Sequence, residues 1–119
     1  MKTKQSMDLF GEALKAYSQG DRAKFYFKDN SGELFEHGLS RYFRKTSQLS
    51  KSERKLISLS YGDILDVGCG TGNYIPLLAK RGKVIGIDIS PNIIEVAKKN
   101  GCKNCKVADI FTLPTSKKY

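Results

Sequence analysis

Asp63-Ile64-Leu65-Asp66-Val67-Gly68-Cys69-Gly70-Thr71-Gly72 decides the fold of this chain. Ile64, Leu65 and Val67 form the apolar run of a fully covered strand. Gly68, Gly70 and Gly72 follow at alternate positions, which suits a tight turn that opens a helix. A turn without Cβ atoms lets a ligand come close to the backbone. Asp66 interrupts the apolar run one residue before its end. A lone carboxylate in such a strand costs on the order of several kcal/mol. Asp66 is therefore expected to face a ligand or a hydrogen-bond donor.

Downstream the same pattern repeats. A helix is predicted over 72–81, with Ile75, Leu77 and Leu78 inward, and a strand over 83–88 after Gly82. Ser90 caps a helix over 91–100, Pro91 takes its first position, and Ile93, Ile94 and Ala97 form its buried face. A third strand is expected at about 104–108 after Gly101. Strands and helices alternating at this spacing make a βαβαβ unit with right-handed crossovers and a parallel sheet. A carboxylate recurs at each strand end: Asp66, Asp88 and Asp109. Asp88 is placed to accept both hydroxyls of a ribose. Ile89 stands where it can lie on an adenine face. Asp109 suits the amino group of the base, with Ala108 and Ile110 beside it. In open α/β sheets ligands bind outside the carboxyl ends of the strands, so these residues line one crevice.

Upstream, Met7, Phe10, Leu14 and Tyr17 share one helical face, with Ser6 as cap and Gly20 as stop. Phe25-Tyr26-Phe27, followed by Asp29-Asn30-Ser31-Gly32, reads either as a hairpin of about 24–28 with 33–36 or as a mobile flap. Leu39 to Thr46 is expected to form a short helix. Ser50 and Glu53 make a capping box for a helix that buries Leu56, Ile57 and Leu59.

Composition narrows the class. The chain has 119 residues, room for a single small domain, with 39% hydrophobic and 28% charged residues, as in soluble globular proteins. No apolar run approaches the roughly 20 residues of a membrane helix, and Met1 to Asp8 lacks a secretory h-region. A cytoplasmic protein is expected. The formal charge of +9 is spread over both halves, +5 in residues 1–60 and +4 in residues 61–119, which describes a solvated basic surface or one that attracts RNA. Cys69, Cys102 and Cys105 are an odd set that fits a reducing compartment. Cys102 and Cys105 have the spacing of a metal or redox pair, but a structural zinc site wants two such pairs and a redox pair should open a helix. No metal is expected.

Spacing and charge select among nucleotide ligands. The dinucleotide fingerprint is G-x-G-x-x-G. Here the turn is G-x-G-x-G, and Asn73 stands where the third glycine belongs. No Gly-Lys-Ser/Thr follows, which excludes a P-loop. A diphosphate wants cationic groups and helix N-terminal dipoles. Asp66 suits a ligand that carries positive charge and no phosphate, which argues against a dinucleotide oxidoreductase.

Ile64 to Gly72, then Val84-Ile85-Gly86-Ile87-Asp88-Ile89-Ser90, then Ala108-Asp109, together resemble the class I S-adenosylmethionine-dependent methyltransferases over residues 62–113. The resemblance implies an α/β fold with a Rossmann-like three-layer parallel sheet. It implies that Asp66 and the turn Gly68, Cys69, Gly70 and Gly72 hold the methionine part of S-adenosylmethionine. It places the ribose at Asp88 and the adenine at Ile89, Ala108, Asp109 and Ile110. The division expected is a helical cap, 1–60, and a cofactor-binding half, 61–119. Residues 1–60 are similar to the N-terminal helices of the small-molecule branch, which makes a small-molecule acceptor the first expectation. Tyr17, Phe25, Tyr26 and Phe27 are then candidates to face the sulfonium, and Arg22 to hold the cofactor carboxylate. The alternatives are an RNA acceptor, or a non-catalytic cofactor-binding module that acts through a partner chain. The family sheet has seven strands and only three are legible here. The chain is therefore expected to be an N-terminal part of a longer protein, or to pair with itself or a partner along the open edge of strand 62–67. No residue presents itself as a general base.

Overall fold

The computed structural model describes residues 2–114 and 116–119, with side chains from Leu9 onward. Helix α1 (Lys2–Ser18) leads into a hairpin of β1 (Phe25–Lys28) and β2 (Leu34–His37). Two short 3-10 turns, Leu39–Phe43 and Thr46–Gln48, connect to α2 (Lys51–Ser58). Then β3 (Gly62–Val67), α3 (Ile75–Leu78), β4 (Gly82–Asp88), α4 (Pro91–Lys99) and β5 (Cys105–Val107) follow in alternation.

The predicted parallel sheet is present, in the order β3-β4-β5. Ile64 lies opposite Val84, Asp66 opposite Gly86, and Asp88 opposite Val107. The central place of β4 follows from its composition, since Val84, Gly86, Ile87 and Asp88 are all buried. Strand β3 is an edge rather than the fully covered strand its apolar run suggests. Among the described residues only β4 pairs with it, and Val67 is left 52% exposed.

Helices α3 and α4 pack on the sheet. Ile75 and Leu78 join Val84, Ile57 and Leu49 in one buried cluster, while Ile94 and Ala97 join Cys69 and Cys105 in another. Helix α1 runs along α4, where Leu14 meets Ile93 and Lys15 reaches Glu95 at 3.0 Å. It starts at Lys2, so Ser6 lies inside the helix and not at its cap.

Local chemistry explains the helix ends. Ser90 Oγ accepts from Ile93 N at 3.2 Å, with Pro91 in the first turn. Ser50 Oγ accepts from Glu53 N at 3.1 Å, and Glu53 Oε1 accepts from Ser50 N at 3.0 Å, the reciprocal capping box. Helix α2 turns only Ile57 inward. Leu56 and Leu59 are 68% and 61% exposed, contrary to expectation, because of the three only Ile57 reaches the cluster of Leu49, Ile75, Leu78 and Val84. Helix α3 is one turn long and not the ten residues predicted. Asn73 is tied through its side-chain amide to Arg41 O, and Pro76 has no N–H to extend the helix backward. At its far end Arg81 donates to the Ser58 and Ser60 carbonyls at 2.7 and 3.1 Å.

Of the two readings for 24–36, the hairpin is the one formed, with Phe25 opposite His37 and Phe27 opposite Phe35. Asp29 Oδ1 closes its tip by accepting from Ser31 N and Glu33 N, both at 2.9 Å. Among the described residues no helix is long and apolar enough to cross a membrane.

Candidate cofactor-binding site

The glycine turn sits at the carboxyl end of β3. Cys69 N donates to Ile87 O at 2.9 Å, which fastens the turn to β4. Gly68 and Gly70 have φ of +67° and +56°, and a Cβ on either would meet nothing within 4 Å. That open, left-handed backbone is a cradle in which main-chain atoms can touch a ligand. Gly72 works differently. A Cβ there would press on Cys102 Cβ at 3.3 Å, so this glycine lets the loop before β5 pack beneath the turn. Cys69 points inward as well. A Cβ on Gly86 would lie 2.8 Å from Cys69 Cβ, so the missing side chain in β4 makes room for the cysteine. Burial, helped by Asp66 and Asp88, pushes the Cys69 thiol up to about 12. Cys69 therefore offers a ligand its backbone and not its sulfur.

The three carboxylates differ in their engagements. Asp66 Oδ2 is buried and has no hydrogen-bond partner among the described residues. Desolvation, and then the nearby charge of Asp88, raise the Asp66 carboxyl to about 6. Asp88, only 7% exposed, uses both of its oxygens locally. Its Oδ2 accepts from Gly70 N at 3.2 Å and its Oδ1 from Ser90 N at 3.1 Å. It thus fixes the shape of the turn, and its remaining lone pairs stay free for a ligand. Asp109 Oδ1 accepts from Phe111 N at 2.9 Å on an exposed loop, and Ala108 N donates to Asp88 O at 3.0 Å. Ile89 and Ile110 stand exposed beside them.

A cavity of about 570 Å³ opens at the turn, lined by Gly68, Cys69 and Gly70 from one side and by Arg41, Tyr42 and Tyr74 from the other. Asp66 lines an adjoining hollow of about 200 Å³ that shares Glu53 and Tyr74 with it. Asp88, Ile89, Ala108, Asp109 and Ile110 lie at the strand ends outside this cavity.

The segment 39–44 is clamped onto the turn. Thr71 Oγ1 donates to Tyr42 O, and Asn73 Nδ2 donates to Arg41 O at 3.3 Å. Arg44 pairs bidentately with Glu53 at 3.0 and 2.7 Å, and Tyr74 Oη donates to the same carboxylate at 2.6 Å. The Arg44 and Tyr74 bonds hold the Glu53 carboxyl well below the usual carboxylate range. Stability from such a group is present above its unfolded pKa and is lost as pH falls through the folded one. Glu53→Gln should therefore lower the melting temperature at pH 7, with a difference from the parent that narrows below the usual carboxylate range. Thermal melts from pH 7 to pH 3 check this; a difference that holds constant with pH would contradict it.

Arg41, Tyr42, Asn73 and Tyr74 are the lining residues that periodicity missed. For Arg41 and Tyr42 the signal is the cationic and aromatic run Arg41-Tyr42-Phe43-Arg44, whose partner only the fold supplies. Arg41 is exposed and, among the described residues, makes no salt bridge, so it is the cation available to a carboxylate at the turn. Arg22 is not. Its guanidinium lies 3.9 Å over the Tyr17 ring and donates to Tyr17 O at 2.8 Å. Three of the four aromatics proposed to face a sulfonium, Tyr17, Phe25 and Phe27, contact other rings. Tyr17 stacks on Phe43 at 5.1 Å, Phe25 meets Phe10 at 5.7 Å, and Phe27 meets His37 at 4.8 Å. Tyr26 is exposed on the outer face of the hairpin.

The orphaned Asp66 oxygen, the open backbone at Gly68 and Gly70, and the free Arg41 fit a ligand that carries both a cation and a carboxylate. Comparison with known proteins gives these features a context. Residues 60–119 match a family model described as a methyltransferase domain. An uncharacterized protein of Haemophilus influenzae is 35% identical over 101 residues, 78% of this chain and 38% of that protein. Ribosomal protein L11 methyltransferase of Geobacter metallireducens is 40% identical over 55 residues, 44% of this chain and 18% of that enzyme. Among solved structures, a SAM-dependent methyltransferase from Bacteroides fragilis in complex with S-adenosyl-L-homocysteine superposes with a TM-score of 0.68 at 29% identity, covering 82% of this chain and 41% of its own. The chain thus spans less than half the length of these relatives.

Proposed function

The chain belongs to the methyltransferase-domain family, and from that premise we propose that it binds S-adenosylmethionine and serves transfer of its methyl group to a small-molecule acceptor. The observation that carries the reading is Asp66, a half-buried residue whose buried Oδ2 has no partner among the described residues, beside an open glycine turn. Leaving such a group unpaired is costly, and a cationic ligand removes the cost. When bound, the cofactor supplies an electrophilic methyl group on a sulfonium, open to in-line displacement.

In this reading residues 61–119 form the cofactor-binding half and residues 1–60 its cap. Asp66 receives the ammonium group. Gly68, Cys69 and Gly70 approach the ligand through their backbone, and Arg41 takes the carboxylate. Gly72 shapes the turn from below. Asp88 accepts from the ribose hydroxyls with the lone pairs that Gly70 and Ser90 leave free, and Ile89, Ala108, Asp109 and Ile110 frame the adenine. The chain's contribution to rate is then positioning and exclusion of water, which can be worth several powers of ten when donor and acceptor are held in line. The clamp of segment 39–44 over the turn supports a small acceptor, because it narrows the approach to the site. The three free thiols support a reducing compartment.

Isothermal titration with S-adenosylmethionine, S-adenosylhomocysteine and NAD tests the reading. The first two should bind, and preference for NAD would overturn it. Asp88→Ala should weaken cofactor binding by about 1–3 kcal/mol, the usual cost of unpaired polar partners. Undiminished affinity in that variant would remove Asp88 from the site.

A further inference from the structure

The largest cavity described lies elsewhere, and the reading above leaves it without a role. It measures about 740 Å³ and lies between the segment 43–46, the turn of α3 and the loop 100–104. Arg44, Thr71 and Asn73 line both this cavity and the one at the glycine turn, so a wall of single residues separates them.

The lining has a definite chemistry. Lys45 and Lys103 both line this cavity, and among the described residues neither is in a salt bridge. Asn73, Asn100 and Asn104 add amide groups, and none of the lining residues is acidic. Arg44 contributes little net charge because Glu53 neutralises it. Two uncompensated ammonium groups over a concave surface concentrate anions, and lysine is a good point-charge partner for phosphate. The floor is apolar, formed by Ile75, Pro76 and Ala79. The volume falls in the roughly 300–1,000 Å³ range of small-molecule sites.

We propose that this cavity binds a small organic phosphate, with its phosphate between Lys45 and Lys103 and its apolar body over Ile75, Pro76 and Ala79. The site is distinct from the glycine-turn cavity and does not depend on which cofactor that cavity takes. An organic phosphate is favoured over a free inorganic anion because cationic and apolar residues line the same cavity. It is favoured over RNA because the lining offers two uncompensated cations, too few to follow a run of backbone phosphates.

Titration calorimetry with phenyl phosphate at 50 mM and 200 mM salt tests this. The parent chain should bind it, more weakly at the higher salt. Lys45→Gln combined with Lys103→Gln should weaken binding at least about tenfold, the scale of losing charge-assisted bonds. Lys28→Gln combined with Lys83→Gln removes the same charge elsewhere and should leave the affinity unchanged. No binding at millimolar phenyl phosphate, or equal losses in the two double variants, would overturn the proposal. So would loss of binding in Arg41→Gln, since that would place the anion at the glycine turn. Tight binding of a single-stranded RNA oligomer without binding of phenyl phosphate would also overturn it, in favour of nucleic acid.

Discussion

Asp66→Asn is expected to raise the melting temperature of the free protein at pH 7 and, in the same molecule, to weaken S-adenosylmethionine binding about 10- to 100-fold. The two effects have one cause. Asp66 is half-buried, and its buried Oδ2 has no partner among the described residues. Burial and the charge of Asp88 lift its carboxyl to about 6 in the folded state, above the unfolded value. The folded state therefore holds the proton more tightly than the unfolded state. Ionisation at neutral pH costs the fold roughly 1–3 kcal/mol, from a shift of about two units at 1.36 kcal/mol each, discounted for residual solvent. Asparagine has the same shape and no charge, so it removes that cost. The sign fixes the pH window. The stabilising effect of the variant should be full at pH 7, shrink as pH falls through about 6, and be largely gone near pH 4, close to the unfolded value, below which both states of the parent are protonated. Binding runs the other way, because a cationic ligand needs the ionised carboxylate and a charge-assisted bond is worth about 1.5–3 kcal/mol. Affinity of the parent should decline below pH 6, and that of the variant should be flat. Melts and titrations from pH 4 to pH 8 read both. A variant that is less stable and binds normally would show that Asp66 serves the strand and not the ligand.

The second large effect is expected at Gly86. Here β4 passes directly under the glycine turn. A methyl group on Gly86 would lie 2.8 Å from Cys69 Cβ, 2.9 Å from its sulfur and 3.1 Å from Ile75 Cδ1. The nearest of these atoms, Cys69 Cβ, is fixed to the backbone and cannot swing away, so the turn or the strand must move. Overpacking of this kind costs about 1–3 kcal/mol. In Gly86→Ala the shift should also disturb the Cys69 N to Ile87 O bond of 2.9 Å, and with it the cradle at Gly68 and Gly70. Stability and cofactor affinity should fall together. Cys69→Gly removes both clashing atoms, at a backbone entropy cost of about 0.5–1 kcal/mol. In the Gly86→Ala, Cys69→Gly double variant both properties should recover in part, with a coupling of about 0.5–3 kcal/mol. Strictly additive losses would show that the two residues do not share this space.

The contrast between these two sites explains how much was legible beforehand. Asp66 announced itself as a charge in an apolar run, because burial of a strand is written in its own alternation of residue types. The function of Gly86 did not, since a glycine inside a strand reports a close approach without saying what approaches. The ends of α2 and α4 were legible for the same local reason as Asp66. Ser50 with Glu53, and Ser90 with Ile93 N, close their bonds within three residues. The length of α3 was not, because Asn73 spends its side-chain amide on a residue 32 positions away. That bond exists only once the segment 39–44 has docked.

The sequence by itself thus determined the alternation of strand and helix, the parallel sheet, and the turn with its three strand-end carboxylates. Each depends on hydrogen bonds and apolar periods that close within a few residues or repeat along one element. Only the tertiary structure decided that Asp88 shapes the turn through Gly70, that Cys69 hides its thiol over Gly86, and that Arg41 and not Arg22 stands at the cavity. It also decided that Leu56 and Leu59 stay exposed while Ile57 is buried. These outcomes rest on which distant segments meet, and residue type alone does not record the partner that a side chain finds when the chain packs.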